Sequence, residues 1–326
     1  MKYLRFIGIL VGLSLLGYLI HQVGLSFIKE SLGWLGWGYV LVLASALIWD
    51  WVNTIGFETA FSKKFLKTSF LRIFEIRLVG ETFNSLLPSG YVGGEPLKIK
   101  FLAADMPVHE ASSSVLIAKV AQSLSLVPYL VLGLTLTRPG PSPLRGRAAC
   151  VSISLLAAGI CIFAFLIARG SFSQLGRFLH RWTRHAWLKH QEERLLALDE
   201  SLREFFRHEK KRFLASFLWH CAGWFTSAME VPLILYLLGH PITWREGWFM
   251  AAMAQLGSSV GVAIPEGIGF FEGGHYLAAT LLGLPPSLGL SVALIRRVRE
   301  LFWHGVGLLL FLHLSRELIQ SKNRPD

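Results

Sequence analysis

Apolar residues in this chain come in long blocks. They cover residues 6–20, 34–61, 111–136, 148–168, 213–238 and 287–314, with few charges inside any block. Most of these reach the roughly 20 residues that an α-helix needs to cross hydrocarbon. Helices are the open-ended solution there, because lipid offers backbone groups no hydrogen-bond partner. Two further apolar regions are interrupted. Residues 73–87 and 96–104 flank one break, and residues 248–264 and 267–282 flank the other. Their arms are short, and non-helical backbone at membrane depth is tolerated only where it is buried in protein or lines a cavity. The pattern predicts two re-entrant hairpins among full spans.

The breaks read NSLLPSGYVGGEPLK at 84–98 and AIPEGIGFFEGGH at 263–275, and their landmarks correspond. Pro88 precedes Glu95 by seven residues, as Pro265 precedes Glu272. Pro107 follows Pro88 by 19 residues and Pro285 follows Pro265 by 20; Lys119 and Arg297 then each follow by 12. Paired Gly/Pro-broken segments in equivalent places mark a transporter-type repeat with its site between the halves.

The loops orient the chain. Lys63, Lys64, Lys67 and Arg72 form one basic loop, and residues 169–212 hold eleven Lys/Arg against six Asp/Glu. The positive-inside rule places both on the cytoplasmic side, together with both termini. Leu195, Leu196, Leu198, Leu202, Phe205 and Phe206 recur near helical spacing, predicting amphipathic helices on the cytoplasmic membrane face. The first hairpin then enters from the cytoplasm and the second from outside. The expected fold is all-α and polytopic, with about eight helical elements as two inverted repeats, each holding a re-entrant hairpin. The first half covers 1–168 with its hairpin around 73–104, although the 148–168 span fits the second half as well. A basic linker follows at 169–212, and the second half covers 213–326 with its hairpin around 246–283. This orientation puts Arg138, Arg145 and Arg147 outside, against the rule that sets it.

Composition agrees. The chain has 326 residues, is 53% hydrophobic and has a mean hydropathy of +0.49. Its net charge of +11 suits an anionic membrane surface rather than nucleic acid, because the basic residues sit between apolar blocks. Cys150, Cys161 and Cys221 lie in apolar blocks without metal-ligand spacing, so no disulfide framework or zinc site is indicated. There is no Walker loop, no HExxH and no nucleophile–base motif; neither a cofactor nor an enzymatic activity is expected.

The candidate chemistry lies at the breaks. A half-helix ending inside the membrane exposes unpaired backbone groups and focuses a partial charge. Gly90, Gly93 and Gly94, and Gly269 in the second motif, permit backbone geometries that let a headgroup come close. Glu95 and Glu272 are costly as lone charges in a membrane, and Lys119 and Arg297 are their expected partners. These pairs either serve a headgroup and a proton or simply lock the hairpins. The substrate-contacting set is Asn84, Pro88, Gly90, Gly93, Gly94, Glu95, Lys119, Pro265, Gly269, Glu272 and Arg297. Asp50 and Asn53 lie within a span, either functional or hydrogen-bonded in the bundle. Lys98 and Lys100 are expected to snorkel to the headgroups. His275 and His304 suit either proton relay or packing.

The motifs FNSLLPSGYVGGEPLK and AIPEGIGFFE, with the late LIRRVRELFWHGVG carrying Arg297 ten residues before Gly307, resemble the transmembrane region of lysylphosphatidylglycerol synthases and related flippase-like proteins. The resemblance runs through nearly the whole chain. It implies a polytopic cell (inner) membrane protein that moves or handles a lipid headgroup between leaflets. Lys119 and Gln122 stand where relatives often carry an arginine and an acid, which puts an ion pair there in question. Ending at Asp326, the chain has no room for the soluble aminoacyl-transfer domain, which argues against lipid aminoacylation by this chain alone. The leading expectation is a translocase for an anionic or phosphate-linked lipid. Alternatives are a lipid-binding subunit positioning a partner enzyme, or a carrier of ions or small solutes; homo-oligomers are compatible with each.

Overall fold

The computed structural model describes residues 33–61, 68–87, 92–137, 172–174, 192–261 and 264–322, with a few single positions elsewhere. The expected span at 6–20, Pro88 and Gly90, the 138–147 loop and most of the 148–168 span lie outside the described residues. Among the described residues the chain is all helix and turn.

The first block forms α1, Gly38–Thr59. Helix α2, Phe70–Leu86, begins at Ser69, whose side chain accepts from the Arg72 N–H, and ends where Leu87 turns extended ahead of Pro88. Helix α3, Glu95–Leu102, carries its proline in the first turn, where no intrahelical N–H is needed. Then come α4, Val108–Thr135, α5, Glu192–His208, and α6, Lys210–Leu237. Helix α7, Trp244–Val260, opens on a capping box in which Thr243 and Glu246 satisfy each other's backbone N–H groups. A one-turn 3₁₀ segment, Pro265–Gly267, leads to α8, Phe270–Leu281, and α9, Pro286–Lys322, completes the bundle. Helices α1 and α4 are long and apolar enough to cross a membrane. Helices α6 (28 residues) and α9 (37 residues) have the length and carry charges.

Burial divides the bundle into two apolar cores. One gathers Phe57 of α1 and Phe61 just beyond it, Ile76 and Phe83 of α2, Val115 of α4 and Phe311 of α9, with α3 and α5. The other gathers Tyr39 and Val42 of α1, Leu130 of α4, Ile234 of α6 and Ile295 of α9, with α7 and α8. Helices α1 and α9 therefore run from the second core to the first, and α4 runs the opposite way. The α2–α3 pair belongs to one core and the α7–α8 pair to the other. Midway between them α1, α4, α6 and α9 bring their polar residues together.

Helix α5 forms within the expected 169–212 segment and places part of its apolar face against the bundle. Leu202 and Phe205 are buried in the first core, where α5 packs on α4 and α6, while Leu196 stays exposed. Asp199 of α5 accepts from the backbone N–H groups of Phe172 and Ser173 at 2.9 and 2.8 Å.

Two glycines set how closely the arms meet. A Cβ on Gly94 would lie 1.8 Å from the Gly80 carbonyl oxygen, so α3 crosses α2 with backbone against backbone. A Cβ on Gly307 would lie 1.9 Å from Thr82 Oγ1, which accounts for the glycine ten residues beyond Arg297. Gly94→Ala must displace main chain and should cost about 1–3 kcal/mol or more. Gly273→Ala, with open space around it, should leave the melting temperature of the detergent-solubilised protein unchanged. Equal melting temperatures for both variants would contradict this packing.

Candidate functional site

At the first break, Asn84 holds the end of α2 to the start of α3. Its Oδ1 accepts from the Gly94 N–H at 2.7 Å and its Nδ2 donates to Glu95 Oε1 at 2.9 Å. Glu95 then meets Lys119 Nζ of α4 at 3.2 Å and Lys98 Nζ at 3.2 Å. Lys98 reaches back to Glu81 at 2.6 Å. It is 3% exposed, so it does not extend to the headgroups as expected. Glu81 before the break and Glu95 just after it hold it inward, and its stem lies over Gly80, where no side chain competes. Behind this group Arg77 pairs with Asp50 of α1 at 2.9 Å, and Asn53 bonds His220 of α6 at 2.7 Å.

At the second break Arg297 is the hub. Its guanidinium meets Glu272 at 2.7 Å, Glu266 at 3.1 Å and Glu300 at 3.0 Å, and donates to the Glu266 carbonyl at 2.8 Å. Glu272 also accepts from the Gly269 N–H at 2.6 Å, capping α8, and Gly269 there has φ +87°, which glycine adopts readily. Glu266 itself has φ +57° and ψ +7°, left-handed for a bulky side chain. Contacts from every side fix it there. Its carboxylate meets His304 Nε2 at 2.7 Å, and the Ser85 hydroxyl of the first break bonds it as well. Farther along α9, Arg296 and Arg299 converge on Glu230 of α6 at 2.9 and 2.6 Å, and Arg299 meets Glu300 at 3.0 Å.

A cavity of about 440 Å³ lies between the breaks. Glu81, Thr82 and Ser85 line it from α2, Lys119 and Gln122 from α4, and Glu266 from the 3₁₀ turn. Arg296, Arg297, Arg299, Glu300, Trp303 and His304 close it from α9.

Of the candidate residues, Lys119 and Arg297 line the cavity, and Asn84, Gly94, Glu95, Gly269 and Glu272 form its supports within one or two contacts. Gly93 stands in the turn before α3, and Pro265 opens the 3₁₀ turn. The expected pairs Glu95–Lys119 and Glu272–Arg297 both form. The sequence reading missed Arg77, Glu81, Glu230, Glu266, Arg296, Arg299 and Glu300. One signal was present: positions 297, 300 and 304 share a helix face, and an acid directly follows Pro265.

An all-helical chain with a cluster of charges buried at its centre and large apolar side chains outward, such as Trp37 at 91%, Tyr236 at 68% and Leu309 at 67% exposure, is a membrane protein. It belongs to the family of the lysylphosphatidylglycerol synthase TM region, whose profile matches residues 5–306. The UPF0104 membrane protein PH1989 of Pyrococcus horikoshii is 20% identical over 318 residues, covering 92% of this chain and 93% of that protein. No solved structure gives a significant match.

The buried pairing predicts a contrast between neighbouring lysines. Lys98→Met leaves Glu81 short of its partner and should cost about 3–5 kcal/mol. Lys100→Met, in a half-buried position, should stay within about 0.5 kcal/mol. Thermal unfolding in detergent measures both, and a Lys98→Met protein as stable as wild type would refute the buried role.

Proposed function

We propose that this chain is a lipid translocase that passes an anionic or phosphate-linked headgroup between leaflets through the cavity at the two breaks, without covalent chemistry on the lipid. The observation that carries the reading is the placement of the cavity: it lies between two apolar cores and takes its walls from both breaks. Its volume falls in the range of about 300–1,000 Å³ usual for small-molecule sites. Lys119, Arg296 and Arg299 supply cationic donors for a phosphate, and guanidinium groups suit phosphate geometry. The family name adds a connection to lipid metabolism.

The reading includes an inverted repeat, with the α2–α3 and α7–α8 pairs as hairpins entering from opposite faces. Helix directions support it, since α4 and α9, equivalent by the matched spacings, run oppositely between the two cores. Contacts support it as well: α4 packs on α7 of the other half, and α9 packs on α2. Gly80 and Gly257 are offset by the same 177 residues as the two prolines, and each is a point of close backbone approach. In the proposed orientation α5 and both termini are cytoplasmic, and the cavity lies near the bilayer midplane. The two halves of the chain meet there.

Headgroup-labelled fluorescent phosphatidylglycerol in proteoliposomes tests the function. Wild-type protein should exchange it between leaflets faster than protein-free vesicles do. Gln122→Trp fills the cavity while keeping every ion pair, and should abolish the exchange with little change in melting temperature. Wild type with no exchange, or Gln122→Trp at the wild-type rate, would defeat the proposal.

A further inference from the structure

The charges at the two breaks do not balance alike. Around the first, Asp50, Glu81 and Glu95 face Arg77, Lys98 and Lys119 in direct pairs, three against three. Around the second, one continuous network joins Glu230, Glu266, Glu272 and Glu300 to Arg296, Arg297 and Arg299. That is four carboxylates to three guanidinium groups. Two histidines touch this network: His275 meets the cation Arg296 at 3.4 Å, whereas His304 meets the carboxylate of Glu266 at 2.7 Å and is the one placed to supply the missing positive charge. An uncompensated charge taken out of water is expensive, and a single proton removes the deficit.

From this geometry we infer that Glu266 and His304 form a proton-binding site through which headgroup passage is coupled to protons. The inference rests on the headgroup reading of the cavity and names the coupling ion that reading leaves open. Both residues line that cavity. The elements packed on the 3₁₀ turn bring few other charges toward Glu266. From α9 come Arg297 and, through it, Glu300; from α8 come Glu272 and, beside Arg296, His275; from α2 comes Glu81 across the cavity. On α7 the charged side chains, Arg245 and Glu246, sit in its first turn, at the opposite end from Ser258, which lines the cavity. An anionic headgroup entering beside this network adds negative charge and therefore favours the protonated pair. Headgroup and proton should bind together, more tightly as pH falls.

The position of Glu266 makes proton occupancy mechanical as well as electrostatic. Its left-handed backbone is held by Arg297, His304 and Ser85, which together tie the turn to α9 and to the first break. Changing the proton count on the Glu266–His304 pair changes the contacts that hold the two breaks to each other.

Two readouts on the full chain test this separately from translocation itself. The first is proton uptake in weakly buffered detergent solution when phosphatidylglycerol is added. Wild type should take up protons, and His304→Lys, which supplies the fourth cation permanently, should take up none while staying folded. The second is the exchange rate of labelled phosphatidylglycerol in vesicles across a pH series spanning neutrality. Wild-type exchange should fall with rising pH by up to about tenfold per unit, as for one required proton. His304→Lys should be nearly independent of pH. A merely structural histidine would lower melting temperature on substitution and leave the pH slope of the remaining activity intact. Proton uptake without lipid exchange would sustain the proton site and reject translocation. Wild type taking up no protons, or His304→Lys keeping the wild-type slope, overturns the proton site whatever the vesicles show.

Discussion

A carboxylate withdrawn from water must find positive charge within direct reach, and Arg297 satisfies three of them at 3.1 Å or less. Much of the second half is arranged so that this can happen. Glycine at 269 lets Glu272 curl back onto its own helix start, and the left-handed turn at Glu266 aims a second acid at the same guanidinium. On α9 the one-turn spacing brings up Glu300 and then His304. Removing one charge from such a group costs more than any single contact within it, because the partners stay buried. The same constraint on the other side turns Lys98 inward between Glu81 and Glu95.

Pairing of this kind gives the chain a polar middle layer between two apolar cores, with a cavity inside it. A layer built only to lock helices would gain by closing tightly, since well-packed apolar residues often match or exceed a buried ion pair in stability. Here the paired charges surround open volume and belong to two interrupted helices. Irregular backbone inside a membrane is tolerated where it lines a cavity, and transporters place their sites at such breaks. The proposed translocase reading follows from that combination.

Much of the helical layout was legible in the sequence, because apolar blocks of membrane-spanning length leave few alternatives. The breaks were legible for the same reason: Pro88, Gly94 and Pro265 interrupt runs that nothing else interrupts. Glu95–Lys119 and Glu272–Arg297 could be paired from matched spacing alone. Lys98 could not, since whether a lysine extends toward lipid or folds onto Glu81 depends on the crossing of α2 and α3 at Gly80 and Gly94. Glu230 lies far in sequence from Arg296 and Arg299, and only the packing of α6 beside α9 joins them. Helix α5 shows a limit of periodicity. Its leucines and phenylalanines announce an apolar face without saying whether lipid or protein covers it.

The most direct measurement of the central claim is where a lipid headgroup sits on the protein. A phospholipid carrying a photoreactive group on its phosphate-linked head, activated in proteoliposomes and mapped by mass spectrometry, reports that position. The account predicts adducts on cavity residues such as Gln122, Ser123, Ser259 and Trp303. Adducts confined to the outward-facing surface around Tyr236 and Leu309, with none in the cavity, would contradict it.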